Sequence, residues 1–347
     1  MARLEGKLII HGVGGAGINI ASDVLRGLEN YNEISDIEIY TLDSTDKTIQ
    51  KHPELEETFM KITSGKRSGT QIDGAAGERK NTELVKIYSE NVKNYMDEFE
   101  FTKPNTNEFH VVIFSGSGGT GSVAGPLLIQ ELIQTGNIVY PIVIGDASNL
   151  LFITNTINTL STIERIATKN KVAIPFTFYN NTINGVTNMQ TEKEINNRVI
   201  KMLYLISIGI SGNIQNIDLQ DMRNFMQPSL YKTIRVQNGA YGLHVVRKTL
   251  DVEDAIIART VTTEEFDIDI KSDLLHNKVG ILLSEEAIET LGDQLPVYLY
   301  LRTNTLVDTV EELEETYEKL EEKTRKKRRS LRSNLNNVED DDTGLVL

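Results

Sequence analysis

Two short glycine-rich stretches, each lying between a strongly apolar run and a helix-like pattern, constrain this 347-residue chain more than any other feature. The first is Gly12-Val13-Gly14-Gly15-Ala16-Gly17, directly after the apolar run Lys7–His11. It satisfies G-x-G-x-x-G in the setting that gives the pattern meaning: a tight turn, a backbone that phosphate can approach, and a helix N-terminus aimed at the anion. Asp43 closes the next apolar run, 26 residues after Gly17, near where a ribose-binding carboxylate sits in dinucleotide sites. Alone, this half of the pattern reads as a nicotinamide-dinucleotide domain. The second stretch, Ser115-Gly116-Ser117-Gly118-Gly119-Thr120-Gly121-Ser122, changes that reading. It has no side chain large enough to fill a core. It offers a concave row of backbone N–H groups and hydroxyls at a helix N-terminus, an anion nest. A dinucleotide needs one such loop, whereas two in one sheet suggest a polyphosphate clasped from both sides. No G-x-x-x-x-G-K-[ST] occurs, so the P-loop route to phosphate is excluded. A glycine turn without ligand is the plain alternative for either stretch.

The surrounding pattern places both loops in one architecture. Lys7–His11, Ile37–Leu42, Val111–Ser115, Val139–Ile144 and Pro175–Tyr179 read as strands, most of them too apolar to have an exposed face. Helical patterns (Gly17–Leu28, Thr82–Tyr95, Ser122–Gln134, Asn155–Lys169) alternate with them. Such alternation predicts a parallel sheet covered on both faces, with ligands at the carboxyl ends of its strands. The expected division is a Rossmann-like nucleotide domain over residues 1–190, a long central helix over 191–212 and a smaller α/β domain over 213–305 with strand-like runs Gly242–Arg247, Ala255–Arg259, Lys278–Leu283 and Val297–Arg302. A charged helix over 306–333, read from about Thr309 to Ser333, and a flexible polar tail over 334–347 complete it.

Composition narrows the chemistry. Cysteine is absent and five histidines (His11, His52, His110, His244, His276) are scattered, so no disulfide framework, thiolate site or zinc-ligand spacing is present. We therefore expect no dedicated metal-ligand set. A net charge of −14 argues against nucleic-acid binding by the whole surface. The most apolar run, Val199–Ile210, is 12 residues, short of the roughly 18–20 that span a bilayer. The first residues lack the apolar core of a secretory leader, and a cytoplasmic location is expected.

The residues also carry a family resemblance. Ser117-Gly118-Gly119-Thr120-Gly121-Ser122 resembles the signature phosphate loop of the tubulin/FtsZ superfamily of GTPases, with Val123 where tubulins usually carry another glycine. Gly12–Ile20, with Asn19, is similar to the first phosphate loop of FtsZ, and Gly74-Ala75-Ala76-Gly77 falls where that family has its γ-phosphate-sensing loop. Asn216-Ile217-Asp218-Leu219-Gln220-Asp221 resembles the co-catalytic loop Asn-x-Asp-Phe-x-Asp, with Leu219 in place of Phe. The resemblance implies GTP or GDP with Mg²⁺ held by Gly14, Gly15, Ala16, Asn19, Asp43, Ser44, Gly77, Gly116, Ser117, Gly118, Gly119, Thr120 and Gly121. It implies base contacts by Asn180 and Asn196, and catalysis by Asp218 and Asp221 inserted into the site of the next subunit of a head-to-tail filament. Read without it, Asp218 simply caps a short helix from Leu219 to Met226, with Asp221 in its first turn.

The C-terminal region separates branches of that family. Glu311-Glu312-Leu313-Glu314-Glu315-Thr316-Tyr317-Glu318-Lys319-Leu320 leads into six basic residues within Arg325–Arg332. A thin apolar stripe (Leu313, Tyr317, Leu320, extending to Leu331) predicts a surface helix lying along the body. A long terminal helix with a basic end resembles TubZ proteins, which segregate plasmid or phage DNA through a DNA-bound adaptor. The acidic Glu339-Asp340-Asp341-Asp342 resembles phage tubulins, whose acidic tail docks on the next subunit. A solvated charged face is the plain reading. Alternatives in other classes are an FtsZ-type division scaffold, a phage tubulin positioning phage DNA, a nucleotide-binding module that does not polymerise, and an NAD-dependent Rossmann oxidoreductase.

Overall fold

The computed structural model describes residues 6–28, 34–63, 66–67, 70–71, 82–182, 189–211, 218–228, 238–247, 255–258 and 297–338. The loop Gly74–Gly77, the residues Asn216 and Ile217, and the strand expected at Lys278–Leu283 lie outside them. Strand β1 (Lys7–Val13) leads into α1 (Gly14–Leu28), followed by β2 (Asp36–Asp43), β3 (Phe59–Lys61) and a small hairpin of β4 (Lys66–Arg67) and β5 (Thr70–Gln71). Then come α2 (Thr82–Glu98), β6 (Glu108–Ser115), α3 (Thr120–Gln134), β7 (Ile138–Gly145), α4 (Leu150–Asn170), β8 (Ala173–Asn180), α5 (Met189–Ile210) and α6 (Leu219–Met226). The last elements are β9 (Gly239–Arg247), β10 (Ala255–Ala258), β11 (Val297–Arg302) and α7 (Thr305–Val338). Each helix and strand expected within the described residues is present, usually a few residues longer than the apolar pattern alone marks.

One nine-stranded sheet runs β10-β11-β9-β8-β7-β6-β1-β2-β3. It is parallel from β3 to β9, and β11 and β10 add to it antiparallel. The described strands beyond α6 therefore extend the nucleotide domain's own sheet, β9 pairing parallel with β8 from Ala173↔Gly239. Strand β7 is buried along its whole length although it contains Pro141. Its pairing with β8 begins at Ile142, one residue beyond the proline, so the missing N–H disrupts no ladder bond on that side.

Alternation along the strands sends side chains into two cores. Leu8, Ile10, Val111 and Ile142 pack with α1, α5 and α6 on one face. Ile9, Val13, Val112, Phe114 and Val143 pack with α2, α3, α4 and α7 on the other. Covering both faces is what allows strands with no polar side. Each fully buried Leu, Ile or Phe contributes about 1.5–3 kcal/mol by leaving water. Helix α5 is buried on all sides from Met202 to Ile210, as expected of a helix sandwiched between the sheet and its neighbours α1 and α6.

Helix α7 lies over α4. Leu306 and Leu313 are buried, with Val310, Tyr317 and Leu320 half-buried beside them, a spacing of three and four that keeps one stripe on the body. From Glu321 to Arg328 every side chain is exposed. The helix continues to Val338, past the point expected for the start of the tail at Asn334. No Gly or Pro lies between Thr305 and Val338 to stop it, and single Asn residues cost a helix little.

Within the second core sits a polar cluster that the sequence did not announce. His11 Nδ1 meets Tyr95 Oη at 2.8 Å and His11 Nε2 meets His110 Nδ1 at 2.9 Å. The two rings stack 9° from parallel, and Phe101 stands edge-on to both. Burial, and then the neighbouring His110, hold the pKa of His11 well below its ordinary 6.5. His244, under the start of α7, is lowered to about 4 by burial and Arg302. In both cases the unfolded chain binds a proton that the folded chain refuses, so stability is lost as pH falls through the unfolded pKa. The melting temperature should accordingly drop between about pH 7.5 and about pH 5.5, and the slope should be shallower in His11→Gln. An equal slope in wild type and variant, measured by circular dichroism, would show that His11 is not a source of it.

Candidate functional site

The sheet order reverses at β1: β2 lies to one side of it and β6 to the other. A parallel sheet opens a crevice at such a point, because the helices following the two strands leave on opposite faces. Here α1 follows β1 into one core and α3 follows β6 into the other. Both glycine stretches lie at this crevice, on the carboxyl ends of adjacent strands.

Close packing explains several of the glycines. A Cβ on Gly17 would sit 2.2 Å from the carbonyl oxygen of Ile113, so only glycine lets α1 approach β6. Gly14 has φ +70°, the left-handed turn from strand into helix. Its Cβ position is 3.1 Å from the backbone nitrogen of Gly121, which shows how near the two loops come. Gly15 adjoins Thr48, whose hydroxyl is 2.9 Å from the Gly15 Cβ position. Gly118 differs, since a Cβ there meets nothing within 3.5 Å and its first neighbour is Ser115 Oγ at 3.7 Å. The fold therefore leaves room for a side chain at Gly118, unlike at Gly17.

The loop's backbone polarity can be followed group by group. Thr159 on α4 donates its hydroxyl to the Gly116 carbonyl at 2.9 Å, and Asn155 Nδ2 donates to the Ser117 carbonyl at 3.0 Å. Ser122 Oγ donates to the carbonyls of Gly118 and Gly119. Four successive carbonyls are thus turned inward. The Gly116 N–H joins the sheet through Ile144 O at 2.8 Å. The N–H groups of Ser117 and Gly118 converge on Ser115 Oγ, both at 3.3 Å. What remains on the open side are N–H donors at the starts of α1 and α3, where the helix dipoles add.

Beside them lies an oxygen cluster. Ser44 Oγ and Thr120 Oγ1 are 2.6 Å apart, and Asp43 Oδ1 accepts from the Ser44 N–H at 2.7 Å. Burial pushes the Asp43 carboxyl above its ordinary range, against the lowering effect of hydrogen bonds from Ser44 and Thr120. Among the described residues no group of three or more His, Asp or Glu could hold a metal by itself. Asp43, Ser44 and Thr120 are hard oxygen donors of the kind that share a cation with a phosphate.

The other expected residues fall in separate places. Ala16 is half-buried in the first turn of α1, and Asn19, exposed one turn on, bonds His52 Nε2 at 2.9 Å. Asn180 ends β8 and accepts from the Thr182 N–H at 3.1 Å. It lines a cavity of about 480 Å³ with Ala147, Thr182 and the α7 residues Thr316, Lys319, Leu320 and Lys323. Asn196 on α5 donates to Asp23 Oδ2 of α1 at 2.6 Å. The side-chain hydrogen bonds of the two asparagines therefore go to different partners, Asn196 toward α1 and Asn180 toward its own loop.

Asp218 and Asp221 are far from the glycine loops of the same chain. Asp218 caps α6, its Oδ1 accepting from the Asp221 N–H at 2.8 Å, while Asp221 Oδ2 accepts from the Asp218 N–H at 3.4 Å, a reciprocal capping box. The capping role expected of them is thus present. Helix α5 runs alongside α1, Asn196 against Asp23 and Ile200 against Gly27. Its last residue, Ile210, accepts from the Gly6 N–H at 2.7 Å, and Leu219 packs on Gly6. Both carboxylates therefore sit at the amino end of β1. The five strand residues Lys7–His11, about 16 Å, separate that end from Gly12–Gly17.

No family model matches the chain. A phage tubulin-like protein of Pseudomonas phage phiKZ is 23% identical over 236 residues, 67% of this chain and 66% of the relative. A phage tubulin-like protein of Pseudomonas phage PhiPA3 is 25% identical over 187 residues, 53% of each. The chain thus matches from about half to just under two thirds of the length of these relatives. Among solved structures, a protofilament of TubZ from bacteriophage PhiKZ superposes with a TM-score of 0.70 at 19% identity, covering 92% of this chain and 93% of that one. A GDP complex of the phage tubulin PhuZ gives 0.67 at 16%, covering 92% of each.

The glycine loops make separate predictions. Gly118→Val should leave the melting temperature within about 2 °C of wild type while removing nucleotide binding, because its side chain would enter only the phosphate's approach. Gly17→Val should instead fail to fold, its Cβ meeting β6 backbone. Binding retained in Gly118→Val, by calorimetry, would place the ligand elsewhere. With two glycine loops at the switch point of the sheet and likeness along most of its length, the chain is a homologue of the phage tubulin-like proteins and has the tubulin/FtsZ-type fold.

Proposed function

We propose that this protein binds GTP with Mg²⁺ at the β1/β6 crevice, hydrolyses it at a site completed by the next subunit, and polymerises head to tail to segregate phage or plasmid DNA. The observation that carries this reading is the separation of Asp218 and Asp221 from the glycine loops, at opposite ends of one sheet. A subunit stacked end to end on another brings one subunit's acidic end onto the other's phosphate end. A polyphosphate at the crevice would lie against the N–H groups at the starts of α1 and α3, with Asp43, Ser44 and Thr120 beside it. Bound Mg²⁺ would neutralise charge on the phosphates there. A neighbour's carboxylate would orient the attacking water and accept its hydrogen bond. Similar structures support assembly and nucleotide binding: one is a protofilament of TubZ from bacteriophage PhiKZ, another a PhuZ complex with GDP. Asn180, at the end of β8, and Asn196, on α5, are the proposed base contacts, with Gly77 the proposed γ-phosphate contact. The phage origin of the relatives favours the phage branch over a division scaffold.

Asparagine caps a helix as well as aspartate does, so Asp218→Asn separates the two roles of this residue. The variant should keep its melting temperature and its GTP affinity while turnover falls by about 100-fold, and its filaments should outlast those of wild type. Unchanged turnover would leave Asp218 a capping residue alone.

The basic end of α7 is the proposed attachment to a DNA-bound adaptor. Among the described side chains the last apolar contact with the body is Leu320, and Arg325–Arg328 are exposed beyond it. Truncation after Leu320 should leave assembly and turnover near normal and abolish co-sedimentation with the DNA–adaptor complex, an attachment that should weaken steeply with salt. Loss of assembly itself would make the end of α7 a subunit contact instead.

A further inference from the structure

We infer that Asn155 and Thr159, both on α4, are positioning residues for the phosphate loop. Neither belongs to the loop, and both are buried, at 4% and 0% exposure. A buried asparagine and a buried threonine on the inward face of α4 cost stability unless their polar atoms are paired. Here the partners are the carbonyls of Ser117 and Gly116, at 3.0 and 2.9 Å. The Thr159 proton is shared with the carbonyl of Asn155 at 2.8 Å, a bond within the helix. The Cβ position of Gly116 is 3.5 Å from the Thr159 Cβ, so α4 touches the loop directly.

The consequence follows from peptide planarity. In a trans peptide the C=O of one residue and the N–H of the next point in opposite directions. Holding the Gly116 carbonyl inward fixes the direction of the Ser117 N–H, and holding the Ser117 carbonyl inward fixes that of Gly118. Those two N–H groups converge on one acceptor, Ser115 Oγ, at 3.3 Å each. These are long bonds, weak enough for a more negative oxygen to replace. The ligand class is therefore an anionic oxygen of a phosphate chain, and α4 supplies the two clamps that keep its donors aimed. Without them either peptide can rotate, presenting a carbonyl oxygen to the anion.

This inference rests on the glycine-loop reading above. Its test uses the full chain titrated with GTP and Mg²⁺, and separately with inorganic tripolyphosphate. Thr159→Val keeps shape and removes the donor. Thr159→Ser keeps the donor. Asn155→Leu removes the other clamp. Thr159→Val and Asn155→Leu should each weaken binding of both probes by about 10-fold, with Thr159→Ser within about twofold of wild type. The loss should appear in KM, with kcat at saturating GTP retained, because the reacting groups are untouched. Wild-type affinity in both Thr159→Val and Asn155→Leu overturns the inference, as does an equal loss in Thr159→Ser. Wild-type protein that binds tripolyphosphate without GTP would overturn the guanine reading alone, leaving the clamps to be judged on tripolyphosphate. Binding of neither probe by wild type would overturn both.

Discussion

The direction of a few peptide planes at one crevice of the sheet governs the rest of this molecule's arrangement. Between β1 and β6, four carbonyls in succession are turned inward and capped by Thr159, Asn155 and Ser122. Inward carbonyls oblige outward N–H groups. Two helices start at the same place, one from each face of the sheet, and their N-termini add to the same positive potential. The Ser117 and Gly118 N–H groups are held only by long bonds to Ser115 Oγ, which suits an approaching anion better than a closed core. The glycines, the small hydroxyl residues and the two layers of helix behind them are conditions for presenting it.

The second constraint is length. Strand β1 and helix α5 both run from the crevice to the opposite end, and the Gly6–Ile210 hydrogen bond ties them together there. Gly209 lies against Met222, its Cβ position 2.8 Å from the sulfur, so α6 is pressed onto the end of α5. A short helix with a reciprocal cap at its first residue is thereby fixed at the far end of the rigid body. Any reaction that needs both ends must therefore take place between two copies.

How much of this could be read from residues alone depends on what each residue answers to. The glycine loops were legible because backbone proximity leaves no other residue type possible, as at Gly17 and Gly14. The central strands were legible because burial on both faces leaves no polar alternation. The Asp218 cap was legible from its spacing to Asp221, while its distance from the phosphate end was not, since that is a property of the whole sheet. Asn155 and Thr159 were missed because a polar residue in a helix pattern looks solvent-facing until the element above it is known. The buried His11–His110 pair joins residues 99 apart in the chain, and no periodicity signals such a contact. Helix α7 ran past its expected end because the tail was inferred from polarity, which does not stop a helix in the absence of Gly or Pro.

The central claim, that one catalytic site is assembled from opposite ends of two subunits, is tested most directly by complementation. Gly118→Val subunits keep their carboxylates and lose the phosphate loop, while Asp218→Asn subunits keep the loop and lose a carboxylate. Each alone should hydrolyse GTP slowly. Mixed at equal concentration, the loop of one meets the Asp218 of the other, and turnover should rise well above the sum of the separate rates. A mixture no faster than that sum, while both variants still enter filaments, would contradict the account and place the whole reaction within a single chain.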